Sequence, residues 1–165
     1  MVIAGLHAPQ WLVKAAGAGV TVVSDAPDLD PLYRGADIVL APLPHGGGTK
    51  NKTLEAMAWG MPVLGTPQAF TGLPQLDGDA FVVDNLEPER IAKRIAALRD
   101  DPELRFHLGY AARRYVAAAH SPALAESRVA ALLDAVAAGG GVAEAEALAR
   151  AALEGAGGAE AEPAS

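Results

Sequence analysis

Ile38 to Gly65 reads IVLAPLPHGGGTKNKTLEAMAWGMPVLG, and the reading of the whole chain starts from it. Ile38, Val39, Leu40 and Ala41 make a short continuous apolar run, which suits a strand buried on both faces of a parallel sheet. Pro42 and Pro44 end it. The helix that follows places Leu54, Met57 and Ala58 at helical spacing for an inner face, stops at Gly60, and is kept from continuing by Pro62. Val63 and Leu64 begin the next strand. Between strand and helix lie Gly46, Gly47, Gly48 and Thr49, so backbone N–H groups without side-chain shielding converge with the positive end of a helix dipole. That combination suits an anion. Lys50 and Lys52 flank Asn51 in the first helical turn, where cations oppose the dipole, so an anion explains them better than the helix does. The chain has only four lysines, and two of them are here.

Composition narrows the function classes. A chain of 165 residues accommodates one domain with a proper core and is too short for two ordinary ones. The expected organisation is a domain over 1–137 and an Ala/Gly/Glu-rich mobile tail over 138–165, dispensable for folding. Net charge is −7, of which −4 comes from Glu144, Glu146, Glu154, Glu160 and Glu162 set against Arg150. The rest is mildly acidic and has no aromatic-basic patch, which argues against nucleic-acid binding and leaves a small phosphate ligand compatible. The absence of cysteine excludes disulfides and thiolate metal sites. No apolar run reaches the roughly 18 residues of a membrane span, and Met1 to Gly5 lacks the basic flank and length of a signal peptide. A soluble, cytoplasmic protein is expected.

Taken in order, the chain predicts a strand at Met1–Ala4 and a helix from Pro9 through Ala16, closed by Gly17 and Gly19. A second strand follows at Val20–Val23, then one or two helical turns within Asp28–Arg34, with Asp30 capping before Pro31. With Ile38–Gly65 this makes β-α-β-α-β-α-β, hence α/β class and a Rossmann-like parallel sheet flanked by helices. Phe70–Asp79 reads as a loop and Phe81–Val83 as a last short strand. Three helices end the domain. Glu87-Pro88 opens the first, with Ile91, Ile95 and Leu98 inward; Asp101-Pro102-Glu103 opens the second, with Leu104, Leu108, Tyr115 and Val116 inward; the third covers Leu124–Val136.

The glycine loop has rival readings. A Walker-type P-loop starting at Gly46 needs Gly-Lys-Thr where the chain has Asn51-Lys52-Thr53, and a dinucleotide fingerprint lacks its third glycine. Three glycines alone suit an ordinary turn equally well. The two lysines and Glu55 favour a ligand. Glu55 itself reads either as a ligand contact or as a charge favoured by the helix dipole. His45 is the one loop residue able to move a proton, or is simply exposed; His7, His107 and His120 have no chemistry around them in the sequence. Trp59 reads as helix-face packing.

The run Gly48-Thr49-Lys50-Asn51-Lys52-Thr53-Leu54-Glu55-Ala56-Met57-Ala58-Trp59-Gly60-Met61-Pro62-Val63 resembles the signature of group 1 glycosyltransferases, retaining GT-B-fold enzymes that use nucleotide sugars. Gly72-Leu73-Pro74 and Asp100–Tyr115 resemble later segments of that family, and the likeness covers roughly residues 1 to 137. The resemblance implies the C-terminal, donor-binding half of a GT-B fold with a helical C-terminal part. It implies that Glu55 accepts hydrogen bonds from the ribose, and that Gly46, Gly47, Gly48, Thr49 and the amides of Lys50, Asn51 and Lys52 hold the diphosphate. The two lysine side chains then neutralise it or gate its approach. Ser24–Ala26 stands where the family meets the base. The donor is UDP- or GDP-linked, and no metal or other cofactor is implied. Many members carry a glutamate eight residues before Glu55, where this chain has Gly47. In the family an earlier strand and helix bearing a basic pair, and before them an acceptor domain, precede this segment. The expectation is therefore a glycosyltransferase part that works with a missing acceptor domain or partner subunit, sits at the inner face of the membrane only through that partner or the acceptor, and self-associates through an uncovered sheet edge. A non-catalytic nucleotide or sugar-phosphate binding module, or an interaction domain whose loop binds nothing, are the alternatives.

Overall fold

A computed structural model describes residues 1–45, 50–73, 82–83, 85–139, 141, 143, 147 and 151. The chain divides into two compact units, Met1–Asp37 and Ile38–Ser165. The first contains β1 (Val2–Gly5), α1 (Gln10–Ala15), β2 (Thr21–Ser24) and α2 (Asp30–Arg34). β1 and β2 pair in parallel with Val2 opposite Thr21 and Gly5 opposite Ser24. Pro9 is the N-cap of α1, as its fixed φ allows. Asp30 is not a cap. It is the first residue of α2, and its N–H donates to the Asp28 carboxylate at 2.9 Å, so the aspartate two residues earlier does the capping chemistry.

The second unit contains β3 (Val39–Ala41), α3 (Asn51–Ala58), β4 (Val63–Gly65), α4 (Pro67–Phe70), β5 (Val82–Val83), α5 (Pro88–Asp100), α6 (Pro102–Ala119) and α7 (Pro122–Ala137). Its sheet is parallel in the order β3-β4-β5, with Val39 opposite Val63 and Leu64 opposite Val82. The protein is thus α/β, with parallel strands flanked by helices and a helical C-terminal part. The strands form two ladders rather than one continuous sheet, because β1 hydrogen-bonds only to β2 and β3 only to β4 among the described residues.

The core of the second unit is built on the two faces of β3 and β4. Leu64, Leu98 and Leu108 form a buried cluster on which Ile38, Leu40, Ile91 and Ile95 pack, so α5 presents the expected Ile91/Ile95/Leu98 face. α6 starts at the Asp101 cap, whose carboxylate accepts from the Leu104 N–H at 2.9 Å, and Ser121 caps α7 in the same way. Two inner faces differ from expectation. α3 buries Thr53, Ala56 and Met57 and leaves Ala58 exposed, and α6 buries Leu108, Gly109 and Ala112 and exposes Leu104. The period was readable but its phase was set by α6, which packs against α3 as well as α5. α4 is an unexpected element that precedes the expected loop and shares only Phe70 with it. Thr66-Pro67 is the local signal for it, a cap position followed by proline at N1. Residues 74–81, most of that loop and the start of the last expected strand, lie outside the described residues, as does most of the 138–165 tail.

Candidate functional site

Residues 41–45 and 50–55 lie at the carboxyl end of β3, the end where open parallel sheets take their ligands. Their geometry is set by β4. Thr66, only 6% exposed, donates its hydroxyl to the Leu43 carbonyl at 2.5 Å, and its N–H reaches the Ala41 carbonyl at 3.3 Å. The Leu43 N–H also turns back to Ala41 at 2.9 Å. The loop thus leaves the sheet along a fixed path, with His45 exposed beyond it. Gly46, Gly47, Gly48 and Thr49 lie outside the described residues.

The chain re-enters at Lys50, the N-cap of α3. No side chain caps this helix and its first turn holds no acid. Leading amides of any α-helix lack intrahelical acceptors, and here two lysines stand beside them. They differ in depth. Lys50 is 7% exposed and Lys52 is exposed, so one ammonium stem runs inward and the other reaches solvent. Asn51 and Glu55 are exposed on the same helix, Glu55 one turn further on. Lys50 and Glu55 each have an interaction within the chain. Trp59 is half-buried at the helix C-cap, in keeping with packing.

α3 is held from beneath. Thr53, 1% exposed, donates its hydroxyl to the Ala69 carbonyl of α4 at 2.9 Å, and Ala56 and Met57 are fully buried. Beside β3 and β4 lies a cavity of about 100 Å³ walled by Leu40, Pro42, Leu64, Gly65, Thr66, Asn85 and Ile91. Its walls are aliphatic apart from the Thr66 hydroxyl, which donates to Leu43, and Asn85, whose Oδ1 accepts from the Glu87 N–H; with no cation among them the cavity does not suit a phosphate.

A sequence model of the family "Glycosyl transferases group 1" matches residues 1–101, well over half of the chain. The chain belongs to the group 1 glycosyl transferases. No curated protein matches it. The family match includes β1 through α5 and the whole of α3, and stops at the Asp101 cap of α6. As a group 1 glycosyl transferase domain the chain has, among its described residues, no helix long and apolar enough to cross a membrane, and no group of three metal-ligating side chains.

One cluster was missed in the sequence. At the carboxyl ends of β1 and β2, in the first unit, His7 is not isolated: its N–H donates to Asp25 Oδ1 at 2.8 Å and its Nδ1 lies 3.4 Å from the same oxygen. Ser24 donates to Asp25 Oδ2 at 2.6 Å and accepts from the Ala8 N–H at 3.1 Å. His7 and Asp25 both have left-handed backbones, φ 51 and 55. The partners are 18 residues apart, so only the strand pairing brings them together. His120 also has a neighbour, the Tyr115 hydroxyl at 3.4 Å.

Proposed function

We propose that the start of α3 is the diphosphate-and-ribose part of a nucleotide-sugar donor site, and that the chain is the donor-binding part of a retaining glycosyltransferase. One observation carries the reading: α3 begins with no side-chain cap and no acid, yet with Lys50 drawn inward and Lys52 beside it. Cations at that end are unfavourable for the helix alone and favourable once an anion is bound. Membership of the group 1 glycosyl transferases supports a UDP- or GDP-linked sugar as that anion.

In this reading the first amides of α3, with those of Gly46–Thr49 before them, donate to the diphosphate, and Lys50 and Lys52 balance its charge. Glu55, exposed one turn along α3, accepts from the ribose hydroxyls. As the glycosyl bond breaks, charge grows on the leaving diphosphate; dipoles and cations already in place stabilise that charge more than the ground state, which is what lowers the barrier. No protein nucleophile is needed. The sugar passes with retention to an acceptor held by a further domain or partner subunit.

Calorimetry with UDP, GDP and the corresponding nucleosides on the chain and its Glu55→Gln variant tests this. Loss of charge-assisted hydrogen bonds worth about 1.5–3 kcal/mol should lower nucleotide affinity roughly tenfold or more with folding stability unchanged. Equal affinities in the two proteins would sink the ribose role. No heat with either diphosphate would sink the donor site itself.

A further inference from the structure

We propose that Gly109 is a positioning residue for this donor site: by admitting α6 against the last turn of α3, it sets where Lys50, Lys52 and Glu55 stand at the opposite end. The inference rests on the donor-site reading above.

α3 has eight residues, so it is a stiff rod about 12 Å long. Its far end closes in a Schellman turn, with the Met61 N–H on the Ala56 carbonyl at 3.0 Å, the Gly60 N–H on the Met57 carbonyl at 2.9 Å, and Gly60 left-handed at φ 72. α6 lies directly on that turn. A Cβ at Gly109 would overlap the Gly60 carbonyl oxygen and stand 3.0 Å from its carbon. Backbone meets backbone there, and no flexible side chain can yield. Ala56 and Met57 of α3 and Ala112 of α6 are all 0% exposed, so the seam has no slack around the contact.

A further support of α3 is the Thr53 hydrogen bond to Ala69. A methyl group at position 109 must lift α6 away or shift α3, and a short rigid helix carries such a shift to its first turn. Displacements of about 1 Å are enough to spoil a charge-matched site. α6 begins at Pro102, just past residue 101, where the family match ends.

The test compares the full chain with Gly109→Ala and, as a control, Ile95→Ala, which loosens the packing of α5 on the core. Urea unfolding ranks their stabilities, and calorimetry with UDP and GDP reads binding. Gly109→Ala should bind diphosphate roughly tenfold or more weakly while still folded. Ile95→Ala should bind like the wild type although it is also destabilised. Wild-type affinity in folded Gly109→Ala, or an equal loss in Ile95→Ala, overturns the proposal. A second measurement covers a Gly109→Ala chain that does not fold: in the wild type, saturating UDP should slow amide exchange at Gly109–Ala112, and unchanged exchange there overturns the proposal. A wild-type chain that binds neither diphosphate overturns the donor-site reading first, and this inference with it.

Discussion

Gly60 and Gly109 meet backbone to backbone, and each is a glycine for a different reason. At Gly109 a side chain has no room, because its first carbon would overlap the Gly60 carbonyl oxygen. At Gly60 there is room, with the nearest atoms at 3.8 and 3.9 Å, but the backbone is left-handed at φ 72. Gly60→Ala should therefore cost about 1–2 kcal/mol from backbone conformation. Gly109→Ala should cost about 1–3 kcal/mol from overpacking. Urea midpoints at constant slope measure both, and the double variant should depart from additivity because the residues touch. A Gly109→Ala chain as stable as the wild type would contradict the packing of α6 on α3.

The two lysines at the start of α3 should separate by depth. Lys52 is exposed, so Lys52→Ala should change stability by less than about 0.5 kcal/mol and still weaken diphosphate binding more than nucleoside binding. Lys50 is 7% exposed, so Lys50→Ala should lose both stability, by about 0.5–3 kcal/mol, and diphosphate affinity. Identical behaviour of the two variants in paired unfolding and calorimetry would show that their difference in burial has no consequence.

Asp25 gives the first unit a pH dependence of known sign. The Ser24 hydroxyl, and then the His7 backbone N–H, hold its carboxyl below the ordinary carboxylate range. The unfolded chain then takes up the proton more readily than the folded one. The resulting stabilisation is complete above the ordinary aspartate value of about 4 and is lost as pH falls through the depressed folded value. Amide exchange across β1 and β2 should lose protection in that acid window, and Asp25→Asn should flatten the profile. Parallel profiles in the two proteins would rule the carboxylate out as its source.

The chain should self-associate through strand edges. β1 and β3 each end a parallel ladder, and β3 carries the apolar run Val39-Leu40-Ala41. No residue of Met1–Asp37 is buried, and Met1, Val2 and Trp11 are 64%, 54% and 69% exposed. Parallel strands are ordinarily covered on both faces, so the exposed apolar side chains around β1 invite a second copy. Sedimentation over a wide concentration range should show dimers or larger species, and Val2→Lys should shift them toward monomer. A single monomeric boundary throughout would refute this.

What the sequence by itself determined is the chemistry that depends on near neighbours. Apolar runs marked β3 and β4, Gly60 and Pro62 marked the end of α3, and Asp101-Pro102 marked the start of α6, because strand pairing, C-caps and N-caps act over a few residues. The alternation of strands and helices, apart from α4, followed from the same local signals. The tertiary structure decided everything that depends on what lies opposite. Helical spacing shows that α3 has an inner face but not its phase, and the arrival of α6 selects Thr53, Ala56 and Met57 over Leu54 and Ala58. Whether Lys50 or Lys52 turns inward depends on the same rotation. The division into two ladders, the His7–Asp25 contact and the Gly60–Gly109 seam join residues far apart in the chain, and those pairings are chosen by packing that no short window of sequence contains.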